Sequence, residues 1–395
     1  MSDAAVRPLG GVVAAGEEAP AGRGRLLGIL TACHSINDFY GMLLPPLLPA
    51  LREAFALTYT QAGAVPFVST GLSALLQPTL GYVADRKQAR KRMMMVGFAG
   101  AAAATAVLGL TGSYVGLLIV AALMGLGLST YHAQSATFLT YNFRQNRGLA
   151  QGIHGIGNGV GFMLAPVLVT LLATAFGWRS ATLLLAIPAV LAAVLVQLAL
   201  REPPVQGHAG FIAGITRPLV LLTLINGLGL ASTSGFVTWL PSFYRAQGQT
   251  LIASGALTAA MSIATLIAQP LGGSMSDRVG RRTIIGASLG TSGLLLALFV
   301  VAPGLETMVA LSIAIGFCAS LLPPVMMVYA SELAAGERTG MAVGIVWGLG
   351  TAVSSVSPLV TGSLIDSTGF GGAFLALSGV ALVAGVLTRL LPKRT

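Results

Sequence analysis

Charge is scarce in this sequence. Only 9% of its 395 residues are Asp, Glu, Lys or Arg, against about 25% in an ordinary globular chain. Mean hydropathy is +0.83. There are too few polar side chains to cover a water-exposed surface of this size, so a soluble domain is excluded and the surface must face lipid. Period-two alternation of apolar and polar residues is also missing, which argues against a membrane β-barrel. Only two cysteines occur. Cys33 and Cys318 both fall in apolar runs, so they read as free, inert thiols and a disulfide framework is excluded. The first residues, MSDAAVRPLGGVVAAGEEAPAGRGR, lack the continuous apolar core of a signal peptide. They read as a short tail.

Chemical motifs are missing as well. No GxxxxGK[ST] loop is present, which disfavours an ATP-driven pump, and no HExxH or mid-span carboxylate pair supports a membrane enzyme. No cofactor and no metal is expected. The net charge of +10 does not indicate nucleic acid, because the basic residues sit in short loops between apolar runs.

Apolar runs of about 20 residues are abundant, each long enough to cross a hydrocarbon core of about 30 Å. They predict helices near 26–49, 59–83, 93–112, 114–141, 149–174 and 179–200. After a polar link near 201–217, more follow near 218–243, 252–274, 283–303, 306–331, 340–364 and 371–391. The expected fold is all-α, with twelve transmembrane helices in two six-helix bundles, 26–200 and 218–395, after a tail at 1–25. The 51 glycines suit close helix–helix contact in lipid.

The two sets of six repeat each other. QPTLGYVADRKQARKR (77–92) and QPLGGSMSDRVGRR (269–282) share Gln77/Gln269, Pro78/Pro270, Gly81/Gly273, Asp85/Asp277 and Arg86/Arg278, all at an offset of 192. The offset persists far from that motif, in Pro49/Pro241, Gly148/Gly340, Gly152/Gly344, Pro166/Pro358 and Gly177/Gly369. One register across many helices marks a duplicated unit. With an even number of spans each, the units run parallel in the membrane. If both termini are cytoplasmic, only Arg52, Arg179 and Arg245 lie outside, leaving nineteen of the 22 Lys and Arg inside. The positive-inside rule therefore places both charged motifs in cytoplasmic loops.

Gly273 to Arg282 resembles the signature loop G-x-L-x-D-R-x-G-R-R/K of the major facilitator superfamily. The N-half copy keeps Gly81, Asp85 and Arg86 and has Gln88 where the C-half has Gly280. The resemblance implies two six-helix bundles around a central cavity and alternating access. It also implies a cytoplasmic gate built on Gly81, Asp85, Arg86, Gly273, Asp277, Arg278, Gly280 and Arg281. Within the N-half, His34-Ser-Ile-Asn37-Asp38-Phe-Tyr40, Leu75 to Tyr82, Tyr131-His132-Ala-Gln-Ser135 and Arg147 to Gln151 are similar to the fosmidomycin-resistance efflux group.

Polar groups inside a membrane are costly and usually functional. Asp38 is the one acid expected at mid-membrane. His34, Asn37 and Asp38 share one helical face at i, i+3, i+4. Asp38, His34 and His132 are the candidate proton-coupling residues. Asn37, Tyr40, Gln134, His154, Asn158, Asn226, Trp239 and Trp347 are candidate cavity residues. No Arg or Lys lies mid-span. The chain is thus expected to be a proton-coupled secondary transporter of the inner membrane, working as a monomer on a small solute. Efflux of an organic or drug-like solute is favoured over uptake of an organic anion.

Overall fold

The computed structural model describes residues 20–143, 146–203, 216–334 and 339–392, and every secondary-structure element among them is helical. The first nineteen residues of the expected tail and most of the link, 204–215, lie outside the described residues. The N-half holds α1 (Pro20–Gly41), α2 (Leu44–Phe55), α3 (Tyr59–Lys87), α4 (Arg90–Leu108), α5 (Tyr114–Leu128), α6 (His132–Asn142), α7 (Arg147–Leu185) and α8 (Ile187–Ala199). The C-half holds α9 (Arg217–Ala246), α10 (Leu251–Ile263), α11 (Thr265–Val279), α12 (Arg281–Val300), α13 (Leu305–Leu333), α14 (Thr339–Ser355) and α15 (Ser357–Leu387), then a 3₁₀ turn, Thr388–Leu390.

Helices occupy each of the twelve expected positions. Among the described residues, eight stretches are long and apolar enough to cross a membrane. Two of them, Gly148–Ala199 and Ala342–Leu390, run 52 and 49 residues. About 20 residues suffice for one crossing, and each stretch turns at a glycine of positive φ, Gly177 (φ 76°) and Gly369 (φ 72°). The first two expected spans are the least apolar, because they carry the polar face of α1 and the motif of α3. The first of them also breaks: Leu44-Pro-Pro starts α2, the first turn being where a helix accepts proline without losing a hydrogen bond. Helix α1 begins at Pro20, so residues 20–25 are helix and not tail.

The repeat is visible in the backbone. Six described residues have positive φ, and they form three pairs at the 192 offset: Ala56/Gly248, Gln88/Gly280 and Gly177/Gly369. Gln88 thus takes a left-handed conformation (φ 47°, ψ 49°) at the cost a Cβ pays there, where Gly280 in the other motif turns the chain with positive φ but extended ψ (φ 96°, ψ 141°). Thr58 and Thr250, again 192 apart, cap α3 and α10 by accepting the amides of Gln61 and Ala253. Each cap is worth about 1 kcal/mol. Tyr40 Oη donates to the Leu185 carbonyl at 2.5 Å, and its counterpart Ser232 donates to the carbonyl of Leu377 at 2.9 Å.

The polarity of the molecule is inverted. Leu183, Leu191 and Leu198 on the α7–α8 segment are exposed, as are Leu294 and Leu298 on α12, while His34, Asn37 and Asp38 are buried. That is the distribution a lipid solvent selects.

The halves close against each other at the end remote from the motif loops. A Cβ on Gly63 would collide with the Pro358 carbonyl oxygen, and one on the equivalent Gly255 with that of Pro166. A third contact, Gly362 on the Tyr59 carbonyl, is equally tight. Asp366 accepts the free amides at the start of α3 across this seam, Tyr59 N at 2.9 Å and Thr60 N at 2.8 Å, plus the Thr60 hydroxyl at 2.6 Å. A carboxylate is favoured at that helix end by the dipole. Toward the motifs α3 loses its partners: its buried residues run from Ala62 to Ala74, and beyond Leu75 only Ala84 is buried. The bundle is closed at one end and splays toward the other.

Candidate functional site

Asp38 sits at the centre of a polar cluster inside the N-half. Helix α1 presents His34, Asn37 and Asp38; α6 contributes His132 at its first residue; α7 contributes His154 and Asn158. These helices approach closely because α7 has glycines at the crossing. A Cβ on Gly157 would lie 2.5 Å from the Thr31 carbonyl oxygen and 2.9 Å from His34 Cβ. One on Gly161 would lie 2.8 Å from the amide of Phe39.

Each carboxylate oxygen of Asp38 has two partners. Oδ2 accepts from Asn158 Nδ2 at 2.6 Å and faces His34 Nε2 at 3.2 Å. Oδ1 accepts from Asn37 Nδ2 at 3.0 Å and faces His132 Nε2 at 3.5 Å. Asn37 Nδ2 also lies 3.2 Å from His132 Nε2. The side chains of Asp38 and His34 are 8% and 11% exposed, whereas that of His132 is 41% exposed. His132 is therefore the member of the cluster that meets solvent.

The hydrogen bonds fix the tautomers. His34 Nδ1 lies 2.8 Å from the His154 carbonyl oxygen, and a carbonyl can only accept, so Nδ1 carries a proton. His34 Nε2 then faces a carboxylate. One further proton must lie between Nε2 and Oδ2, either on the imidazole or on the carboxyl group, because two lone pairs do not approach to 3.2 Å without one. Tyr131 Oη donates to the Leu30 carbonyl at 2.6 Å, which makes His154 Nε2, 3.0 Å away, the donor to Tyr131. The His34 and His154 rings stack at 4.2 Å. His132 Nε2, receiving an amide proton from Asn37, is left with a lone pair spoken for and its Nδ1 protonated.

His34, Asp38 and His132 also bring three ligating atoms within 4.8 Å of one another, a spacing that can accept a metal ion. Both amides already donate to the carboxylate, and one proton satisfies the His34–Asp38 pair.

Of the candidate residues, the structure brings together Asp38, His34, His132, Asn37, His154 and Asn158. It corrects the placement of four others. Tyr40 is buried with its hydroxyl between the Leu185 carbonyl and the Ala189 amide. Gln134 is buried beside Met93, its Oε1 without a partner. Asn226 spends its amide on the Val346 carbonyl. Trp239 is fully buried and donates to the Pro358 carbonyl, in the closed seam. Trp347 is half-buried on α14. Tyr131 was not a candidate and belongs to the cluster. Its adjacency to His132 was the available signal, since a buried tyrosine hydroxyl needs a partner.

The two motifs each hold an ion-pair triad within one half. Arg90, fully buried, bonds Asp85 at 2.7 Å and Glu202 at 3.3 Å. Arg281 bonds Asp277 and, at 3.4 Å, Glu332. Gly280 turns the chain between α11 and α12, while Arg86 and Arg278 lie at the last turns of α3 and α11. Gly81 packs on Ala133 and Gly273 faces open space.

The family model described as the Major Facilitator Superfamily matches residues 27–262 and 219–395. The chain belongs to the Major Facilitator Superfamily. Among similar proteins, the Fosmidomycin resistance protein of Escherichia coli (strain K12) is 29% identical over 406 residues, covering 98% of this chain and 97% of that one. The Cis,cis-muconate transport protein of Acinetobacter baylyi (strain ATCC 33305 / BD413 / ADP1) is 25% identical, covering 89% and 90%. A bacterial homolog to the human lysosomal transporter Spinster, in an inward-facing and occupied conformation, shares the fold with a TM-score of 0.83 at 15% identity, over 95% of this chain and 97% of that one. The protein is thus a multi-pass membrane protein and a secondary transporter of small molecules, not an enzyme.

Proposed function

We propose that this transporter couples efflux of a small organic or drug-like solute to protons carried by the Asp38 cluster. The observation that carries the reading is the proton required between His34 Nε2 and Asp38 Oδ2, one step from the exposed His132. An ionised carboxylate deep in a membrane is costly. This one is balanced by a proton it shares, and His132, once protonated, offers Nε2–H toward Oδ1. Proton entry runs from the splayed end to His132, then to Asp38, then to His34. Solute and proton binding each favour one arrangement of the halves, and alternating access follows from that difference. Proteoliposomes carrying an imposed pH gradient test the reading. A solute that collapses the gradient as it moves supports it, and solute movement with no proton flux would refute it.

Uptake of an organic anion by symport is the second reading. A protonated His132 is a cation at the cavity surface, and one relative is named for transport of cis,cis-muconate. Among the described residues no arginine or lysine stands beside the cluster, which favours the first reading.

We assign both termini to the cytoplasmic side of the inner membrane, on the distribution of the basic residues. A cysteine at the exposed Arg23 should react with an impermeant thiol reagent only in inside-out vesicles. Labelling from the outside of intact cells would invert the topology.

The motif triads are assigned to the cytoplasmic gate. Each aspartate is held in its own half, so its charge is available to set how the two motif ends meet. Asp277→Asn removes the ion pair with Arg281 and leaves the Asp38 cluster untouched. Turnover is expected to fall about tenfold with substrate affinity changed less than twofold, an effect of about 1.4 kcal/mol on the barrier between states. Lost affinity with normal turnover would place Asp277 in the binding site instead.

A further inference from the structure

The repeat also exposes a difference between the halves on the lipid-facing side. Arg282 and Arg389 line a groove of about 330 Å³ between α12 and α15, at the motif end of the bundle, with Gly286, Gly290 and Gly385 along its floor. At the equivalent positions in the N-half stand Arg90, Gln197, Met94, Phe98 and Ala193. Met94 and Phe98 are buried there. In the C-half the glycines bring α12 and α15 into contact, a Cβ on Gly385 falling 3.1 Å from the Gly290 amide and one on Gly286 2.6 Å from Thr388 Oγ1, while the outer side of Gly290 is open, with nothing within 4 Å of a Cβ there.

The charges differ in the same sense. Arg90 is neutralised by Asp85 and Glu202. Among the described residues its counterpart Arg282 pairs with no acid, Asp277 pairing with Arg281 instead, and it donates to the Leu391 carbonyl at 2.9 Å. Among the described residues no acid pairs with Arg389. In sequence, the position of Glu202 is taken by Arg394. An apolar, glycine-floored groove thus ends, at the motif end of the bundle, at two guanidinium groups that no acid among the described residues pairs with.

We propose that this groove binds an anionic glycerophospholipid. The phosphate lies between Arg282 and Arg389, where guanidinium groups match it in charge and geometry. An acyl chain lies in the groove above the glycine contact, over the open side of Gly290. Under the proposed orientation the lipid comes from the cytoplasmic leaflet, but binding itself does not depend on that assignment or on the coupling mechanism.

The test uses the full chain, purified in detergent and titrated with phosphatidylglycerol or phosphatidylcholine under native mass spectrometry. Phosphatidylglycerol is expected to bind the wild type more tightly than phosphatidylcholine. Arg282→Gln with Arg389→Gln should weaken it by tenfold or more, about fivefold per arginine. Gly290→Leu, which keeps both charges and fills open space, should also remove it. Wild-type affinity in both variants overturns the proposal. So does loss in the arginine variant alone, which would mean surface charge attraction with no groove. Millimolar inorganic phosphate that displaces the lipid from the wild type as well as phosphatidylglycerol does would equally overturn it, since the chain would then contribute nothing.

Discussion

Asp38→Asn is expected to fold, bind solute and equilibrate it downhill, yet lose accumulation against a gradient entirely. The amide keeps the size of the carboxyl group. With its NH₂ in the place of Oδ2 it donates to His34 Nε2, which becomes a plain acceptor, and its oxygen in the place of Oδ1 accepts from Asn37, while the partly exposed Asn158 must turn to another acceptor. No shared proton remains at that contact, so the step that links solute movement to the pH gradient is missing. Asp38→Ala should behave differently. It leaves His34, Asn37 and Asn158 each short of a buried partner, at a cost of about 1–3 kcal/mol per group, and should lower the yield of folded protein. A merely structural carboxylate predicts the opposite ranking for function: near-normal transport by Asp38→Asn. Solute accumulation driven by an imposed pH gradient in vesicles, measured for both variants, separates the two. Full uphill transport by Asp38→Asn would remove Asp38 from the coupling step and leave His34 and His132 as its carriers.

The fold was readable from the sequence because duplication leaves a register. The 192 offset found in scattered prolines and glycines reappears in three pairs of positive-φ residues, one pair of helix caps and two pairs of interhelical hydrogen bonds. The polar face of α1 was readable too, since i, i+3, i+4 spacing fixes one side of a helix whatever it packs on. What could not be read was which polar atom each residue spends on scaffolding. Asn226 aligns with His34, and that alignment invited a shared functional reading. The structure shows what is shared: His34 Nδ1 bonds the His154 carbonyl, and Asn226 Nδ2 bonds the equivalent Val346 carbonyl. The Nδ1 side of His34 is scaffold in both halves, and only its Nε2 side, which asparagine lacks, faces Asp38. Trp239 failed for a related reason. Its indole N–H is consumed by the Pro358 carbonyl across the seam between halves, a long-range contact that no local pattern encodes. The tautomers likewise follow from distances, so the proton between His34 Nε2 and Asp38 Oδ2 was out of reach of sequence alone.

The seam supplies the second large effect. Gly63→Leu should abolish transport while leaving the folded protein intact. The glycine faces the backbone carbonyl of Pro358 in the opposite half, and a backbone atom cannot swing aside as a side chain can. A leucine there prevents α3 and α15 from meeting at this end. It does not disturb packing inside the N-half, because the crowding lies between halves that must part in each cycle anyway. The variant should therefore rest with this end open, shifted to one arrangement. A change from nearly all closed to nearly all open corresponds to about 5.5 kcal/mol, and a buried collision with backbone is of the order needed once the Asp366 contacts with Tyr59 and Thr60 are lost with it. Gly161→Val is the contrast. Its clash is with α1 in the same half, so it forces apart helices that never separate, and it should aggregate or fail to express. Spin labels at the exposed positions Ala54 and Gln247, one in each half, report the separation directly. Gly63→Leu should lengthen and narrow that distance distribution, and added solute should no longer shift it. A distribution matching wild type, together with normal transport, would mean that closure at Gly63 is not part of the cycle.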